Sequence, residues 1–240
     1  MIPQYDLDKI KYGTDEATFK KAVDLYENGK VTEFEESFGS FSAVVIGGNP
    51  YHVVVSESHY DRGSCDCYLG QQDVLCKHMV ALALYVVLRG KRLTDEQKQQ
   101  RFEIKCSGHL GKLDKNQLIK VKSLISEAAR YIKPYNGPSK IWFAYQASLT
   151  EGCNRLAVIV SDLPVSLQTT ELVIKLLLRL DKKLSFGGVD DSDGTVGGFI
   201  EEVVAMLIEY VKLDSSCRKA FEILKDQETC FGWEKPLLGL

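Results

Sequence analysis

The sequence predicts a mixed α+β chain, with an N-terminal β-meander and helices around a Cys/His cluster, followed by an α-helical bundle or short solenoid. Three observations carry this. Between residues 31 and 58 lie three short runs rich in β-branched and aromatic residues, separated by glycine-containing turns. Cys65, Cys67, Cys76 and His78 follow within fourteen residues. From about residue 114 onward the apolar residues recur with a helical period, over five or so consecutive segments.

In chain order, residues 15–28 place Phe19, Ala22, Val23 and Tyr26 on one helical face, with Gly29 as the stop. The strand runs are VTEFEESF (31–38), FSAVVI (41–46) and YHVVVSES (51–58). CKHMVALALYVVLRG (76–90) has helical length, yet from Met79 to Leu88 it is apolar all round and so must be buried all round. One small sheet cannot cover such a helix, so a second unit is expected to pack on it. Beyond it, residues 114–133 read as an amphipathic helix. Ser139 is the expected cap of a helix ending at Glu151 and Gly152, and LAVIV (156–160) reads as strand or buried helix. Residues 164–183, 196–213 and 215–226 are further helices. The expected division is 1–92 for a zinc-finger domain, 93–113 for a linker or short helix, and 114–240 for a helical domain.

The chemistry sits in Cys65-x-Cys67 and Cys76-x-His78, eight residues apart. Three thiolates and an imidazole form a closed tetrahedral set for Zn²⁺, and soft sulfur selects zinc over magnesium or calcium. In extended backbone, residues i and i+2 point to one side, so the first pair converges. The second pair opens a helix, where the free amides and the positive helix end favour thiolate. Four protein ligands leave no open coordination position, so one structural zinc per chain is expected, with no catalytic role. Cys106, Cys153, Cys217 and Cys230 stand singly and read as small buried hydrophobes, which suits a reducing, cytoplasmic setting.

This segment resembles the SWIM zinc-finger family, whose signature is CxC, a variable gap, then CxH at a helix start. Here it reads CDCYLGQQDVLCKHMVALAL, with Ala81 where the extended CxHxxA form wants it. The preceding LYENGKVTEFEESFGSFSAVVIGGNPYHVVV is similar to the region leading into bacterial members, so the likeness covers about residues 15–90. Residues 100–240 resemble more loosely the helical region that follows the finger in such proteins, through VDDSDGTVGG and CFGWEKPL. The resemblance implies protein–protein interaction or DNA binding, beside separately encoded helicase-type ATPases or recombination factors.

Other signatures are weak or missing. In an EF-hand register with Gly194 sixth, positions one and twelve would be Val189 and Ile200, which are not ligands; Asp193 or Thr195 instead reads as a helix cap. There is no phosphate loop, GxSxG, HExxH or GxGxxG, so no enzyme activity and no small-molecule substrate are expected. No run of 18 apolar residues predicts a membrane span.

The net charge of −3 hides segregation. Residues 1–88 carry 7 Lys and Arg against 13 Asp and Glu, residues 89–140 carry 13 against 5, and residues 141–240 carry 10 against 15. In the basic middle, Lys115, Lys122, Arg130 and Lys133 fall on one helical stripe opposite Val121, Leu124, Ile125, Ala128 and Ile132. Such a stripe either tracks nucleic-acid phosphates or is a solvated helix face. Two functions follow: an adaptor that binds a protein partner, or a nucleic-acid-binding protein using residues 89–140.

Overall fold

A computed structural model describes residues 2–100, 102–137 and 142–240, and the chain divides into two units, Met1–Gln100 and Arg101–Leu240.

The first unit opens with two capped helices. Asp6 accepts a hydrogen bond from the Lys9 N–H to start α1 (Leu7–Tyr12), and Asp15 does the same from Thr18 to start α2 (Glu16–Glu27). α2 buries Phe19, Ala22, Val23 and Tyr26, and the chain then turns through Gly29 at φ +64°. Four antiparallel strands follow in simple order: β1 (Val31–Ser37), β2 (Ser40–Ile46), β3 (Pro50–Ser56) and β4 (Ser64–Cys65). Alternation decides which face is core. Phe41, Ala43 and Val45 of β2 pair with Val55, Val53 and Tyr51 of β3, and all but Tyr51 are buried. Glu33, at φ +50°, lies within a bulge of β1 between Thr32 and Glu35.

β4 is absent from the sequence reading because two residues carry no period. Its pairing, Val53 with Cys65 and Val54 with Ser64, defines it. Gly63 permits that approach, since a Cβ there would lie 2.1 Å from the Val54 carbonyl oxygen.

α3 (Lys77–Leu88) is the apolar helix, stopped by Arg89 and Gly90 in left-handed backbone. The expectation that another unit must cover it is corrected here. α1, α2 and all four strands pack on α3, and each belongs to residues 1–100. Helices on one flank and a sheet on the other bury α3 from His78 to Leu84 and at Val86, at about 1.5–3 kcal/mol for each large apolar side chain, while Tyr85, Val87 and Leu88 stay half-buried. α4 (Asp95–Lys98) follows with a Thr94/Gln97 capping box, and Gln100 reaches back to the carbonyls of Lys11 and Thr14.

The second unit is helical. Its first stretch is laced to the corner at residues 163–168: Gly111 donates to the Val165 carbonyl at 3.1 Å, and Leu113 donates to Gln168 Oε1 at 2.9 Å. α5 (Lys115–Ala128) starts at an Asp114/Gln117 capping box, and α6 (Trp142–Ser161) packs against it. α7 (Leu167–Ser185) and α8 (Thr195–Leu213) complete the core together with a 3-10 stretch, Ser215–Leu224. The tail is tied down by the buried Asp181, whose Oδ1 accepts from the Cys230 N–H at 2.7 Å and from Trp233 Nε1 at 2.9 Å. α9 (Lys235–Leu238) ends the chain.

Three expectations change in this unit, and a fourth falls outside the described residues. α5 stops at Ala128 instead of reaching residue 133, and Leu124 is exposed. The Ser139 cap lies outside the described residues. Gly152 does not end α6. It lies inside the helix, where a Cβ would come 2.8 Å from Ile132 Cγ1, so it serves close packing and LAVIV simply continues the helix. α8 is capped chiefly by Asp191, which accepts from Val196 at 2.7 Å and Gly197 at 2.8 Å, while Asp193 takes only the Thr195 N–H and hydroxyl.

Candidate metal centre

Two short stretches of chain build the centre. Pairing of β4 with β3 sets Cys65 at the end of its strand, and the Asp66 N–H extends the ladder to the His52 carbonyl at 3.3 Å. Cys67 follows, and a 3-10 turn (Gly70–Gln72) folds back on it, with the Gly70 N–H donating to Cys67 Sγ at 3.4 Å. Cys76 is the N-cap of α3, and His78 lies in its first turn.

The fold brings Cys65, Cys67, Cys76 and His78 together, with all four ligand atoms within 4.8 Å of one another and every residue buried. His78 Nδ1 lies 3.8 Å from Cys65 Sγ and 3.9 Å from Cys76 Sγ. Around a tetrahedral zinc the sulfur–nitrogen separation is about 3.6 Å, so these atoms already stand near the edges of one coordination tetrahedron. The cluster is consistent with one structural zinc ion. Cys65, Cys67, Cys76 and His78 would hold it, and the bound ion would cross-link β4 to the start of α3. Exposures of 1–7% leave the donors out of reach of water, as a closed site requires.

The thiols interact electrostatically. Cys76 is held below the usual thiol range, first by its hydrogen bond with Cys65 and further by His78 and the Met79 N–H, against the opposing effect of burial. The same pairing, together with burial, pushes Cys65 up. Adjacent buried thiols release one proton readily and resist losing the second, and a dication reverses that resistance.

Three residues missed in the sequence support the donors. Gly70 packs on Cys65, where a Cβ would lie 2.2 Å from the carbonyl oxygen and 2.6 Å from the Cys65 Cβ. Gly47, in the β2–β3 turn, lies against the imidazole edge, and a Cβ there would lie 2.6 Å from His78 Nε2. Tyr51 stacks on the His78 ring at 4.4 Å between centroids. His78 Nε2 is buried with no hydrogen-bond partner among the described residues, so Gly47 and Tyr51 hold the ring by packing alone. No local sequence signal marks these residues, because each acts on a donor far away in the chain.

The remaining sequence candidates lie elsewhere. Lys115 and Lys122 are in α5, Arg130 and Lys133 lie beyond its end, and all four are exposed. Cys106 and His109 join no metal-competent cluster among the described residues.

A β-hairpin edge and a helix start, cross-linked through three cysteines and one histidine, define a structural zinc module. Residues 51–87 match the family model for the SWIM zinc finger, so the N-terminal unit carries a SWIM zinc finger. No curated protein and no solved structure matches the chain. Such a finger is a binding module rather than a catalytic one. No helix among the described residues is long and apolar enough to cross a membrane.

Proposed function

We propose that the chain is a cytoplasmic protein-interaction adaptor, in which zinc fixes the loop that meets the partner. The observation behind this reading is the loop between the two ligand pairs, where Tyr68 is 79% and Leu69 44% exposed. Both follow Cys67 directly, and the Gly70 N–H bond to that sulfur anchors the backbone beneath them. A tyrosine and a leucine held in water on a rigid loop are the material of an interface centre. Residues 51–76 carry Glu57, Asp61, Asp66 and Asp73 against Arg62 alone, a charge of −3 that repels phosphate and suits a partner with an apolar pocket rimmed by cations. A helicase-type ATPase or recombination factor is the partner class toward which the finger points.

Replacing Tyr68 and Leu69 with serine tests this. Quantitative co-purification of the tagged chain from its own cells should show a partner depleted at least ten-fold with the variant, while zinc content stays unchanged. A partner retained equally would overturn the proposal.

A second reading has its own observation. Lys115, Lys122, Arg130 and Lys133 are exposed and form no ion pair among the described residues, so they are free to meet nucleic-acid phosphates.

A further inference from the structure

α7 presents a row of cations that begins one turn after the exposed Glu171. Lys175, Arg179, Lys182 and Lys183, with Leu178 and Gly187, line an open groove of about 520 Å³. No carboxylate lines the groove, and none of these cations forms an ion pair among the described residues. Positions 175, 179 and 183 repeat at four-residue spacing, so they rise along one helix face about 6 Å apart. Lys182 and Lys183 complement the negative end of the helix, but Lys175 and Arg179 lie further back and gain little from it. Lys183 is fixed by donating to the Ile132 carbonyl, and burial together with the Arg179 charge pulls it below the usual lysine range. Four like charges therefore line one concavity that holds no carboxylate.

An exposed aromatic residue follows this row in the chain. Phe186 ends α7 and is 91% exposed. The next residue, Gly187, lines the groove and packs so closely on Lys183 that a Cβ would lie 2.7 Å from its Cα. The Phe186 N–H donates to the Lys182 carbonyl at 3.1 Å, so its backbone sits at the end of the row, with its ring in water.

We propose that this groove binds single-stranded nucleic acid, with Lys175, Arg179 and Lys182 meeting successive phosphates and Phe186 stacking on a base. Cations along a groove combined with an exposed aromatic ring are the two elements of sequence-tolerant single-strand binding. A duplex hides its base faces, and an acidic peptide without aromatic residues would engage the lysines but give Phe186 no planar partner. This function is separate from the adaptor loop, so either holds without the other.

The test is fluorescence anisotropy of a labelled oligothymidine of about 16 nucleotides, from low to physiological salt. The wild-type chain should bind with steep salt dependence. Lys175→Gln/Arg179→Gln/Lys182→Gln should flatten the slope of log affinity against log salt by about 2, roughly 0.7 for each single-strand phosphate contact. Phe186→Ala should weaken binding about ten-fold at fixed salt, and duplex DNA should compete poorly. The substituted cations and Phe186 are exposed, so circular dichroism should show the variants folded. Lys115→Gln/Lys122→Gln should leave binding unchanged, which separates this groove from the α5 reading. No binding at low salt, or an unchanged slope in the triple variant, would overturn the proposal. So would loss of binding in the α5 variant alone, or displacement by polyglutamate with no effect of Phe186→Ala.

Discussion

Gly70→Ala perturbs the metal centre without touching a ligand. The added Cβ would meet the Cys65 carbonyl oxygen at 2.2 Å and the Cys65 Cβ at 2.6 Å, where real contacts stay beyond 3.0 Å. Both opposing atoms belong to the backbone or its first side-chain carbon, so no rotamer change relieves the overlap. The loop carrying Cys67 must move away from Cys65 by at least 0.8 Å, the difference between 3.0 and 2.2 Å. Zinc–ligand distances tolerate about 0.2 Å, so the displacement cannot be absorbed at the ion. Overpacking of this kind costs about 1–3 kcal/mol, which here falls on metal binding as a loss of roughly 5- to 150-fold in zinc affinity. Competition with a chromophoric chelator measures that loss. Gly48→Ala is the control, because nothing lies within 4 Å of its added Cβ. If Gly70→Ala bound zinc within two-fold of wild type, the loop would not be set by the close packing of Gly70 on Cys65, and the reasoning would fail.

Other perturbations give outcomes of definite sign. Gly47→Ala should push the His78 imidazole aside and weaken zinc about ten-fold or more, read in the same competition. Gly152→Ala should destabilise the helical unit by about 1–3 kcal/mol in urea melts, since Ile132 and Tyr131 already crowd the site. Gly198→Ala in α8, with nothing within 4 Å, should stabilise it by about 0.5–1 kcal/mol. Asp191→Ala should cost about 1–2 kcal/mol through loss of the α8 cap, and Asp191→Asn less, because its amide oxygen keeps one of the two N–H bonds. Burial raises the Asp191 carboxyl above its ordinary value, so the folded chain takes up this proton at higher pH than the unfolded chain does. Acidification through that window therefore favours the folded form at this group, and Asp191→Asn should remove that contribution from the pH dependence of the melts.

The parts of the fold legible in the sequence are those with local signals. Runs of valine, phenylalanine and tyrosine between glycine turns marked β1 to β3, and Gly29, at φ +64° just past the Asn28 C-cap, is the stop read for α2. The two Cys-x pairs singled out by spacing are the residues that the fold gathers within 4.8 Å. What was illegible depends on distant chain. β4 exists only through pairing with β3, and Gly47 and Gly70 matter because His78 and Cys65 press on them. Gly152 was misread as a stop because glycine serves close packing and helix ends alike, and only the approach of Ile132 tells them apart. The cover over α3 was misassigned because a pattern apolar all round shows that a helix is enclosed, not which elements enclose it.

The central claim is that a single zinc ion held by Cys65, Cys67, Cys76 and His78 cross-links the N-terminal unit. Elemental analysis of the purified chain, as zinc per polypeptide, tests it most directly. The wild type should hold one equivalent and Cys76→Ser none. In the variant the N-terminal unit should unfold, because a structural site contributes on the order of 10 kcal/mol of apparent binding energy to folding. A wild-type chain that holds well under half an equivalent while its N-terminal unit stays folded would contradict the claim.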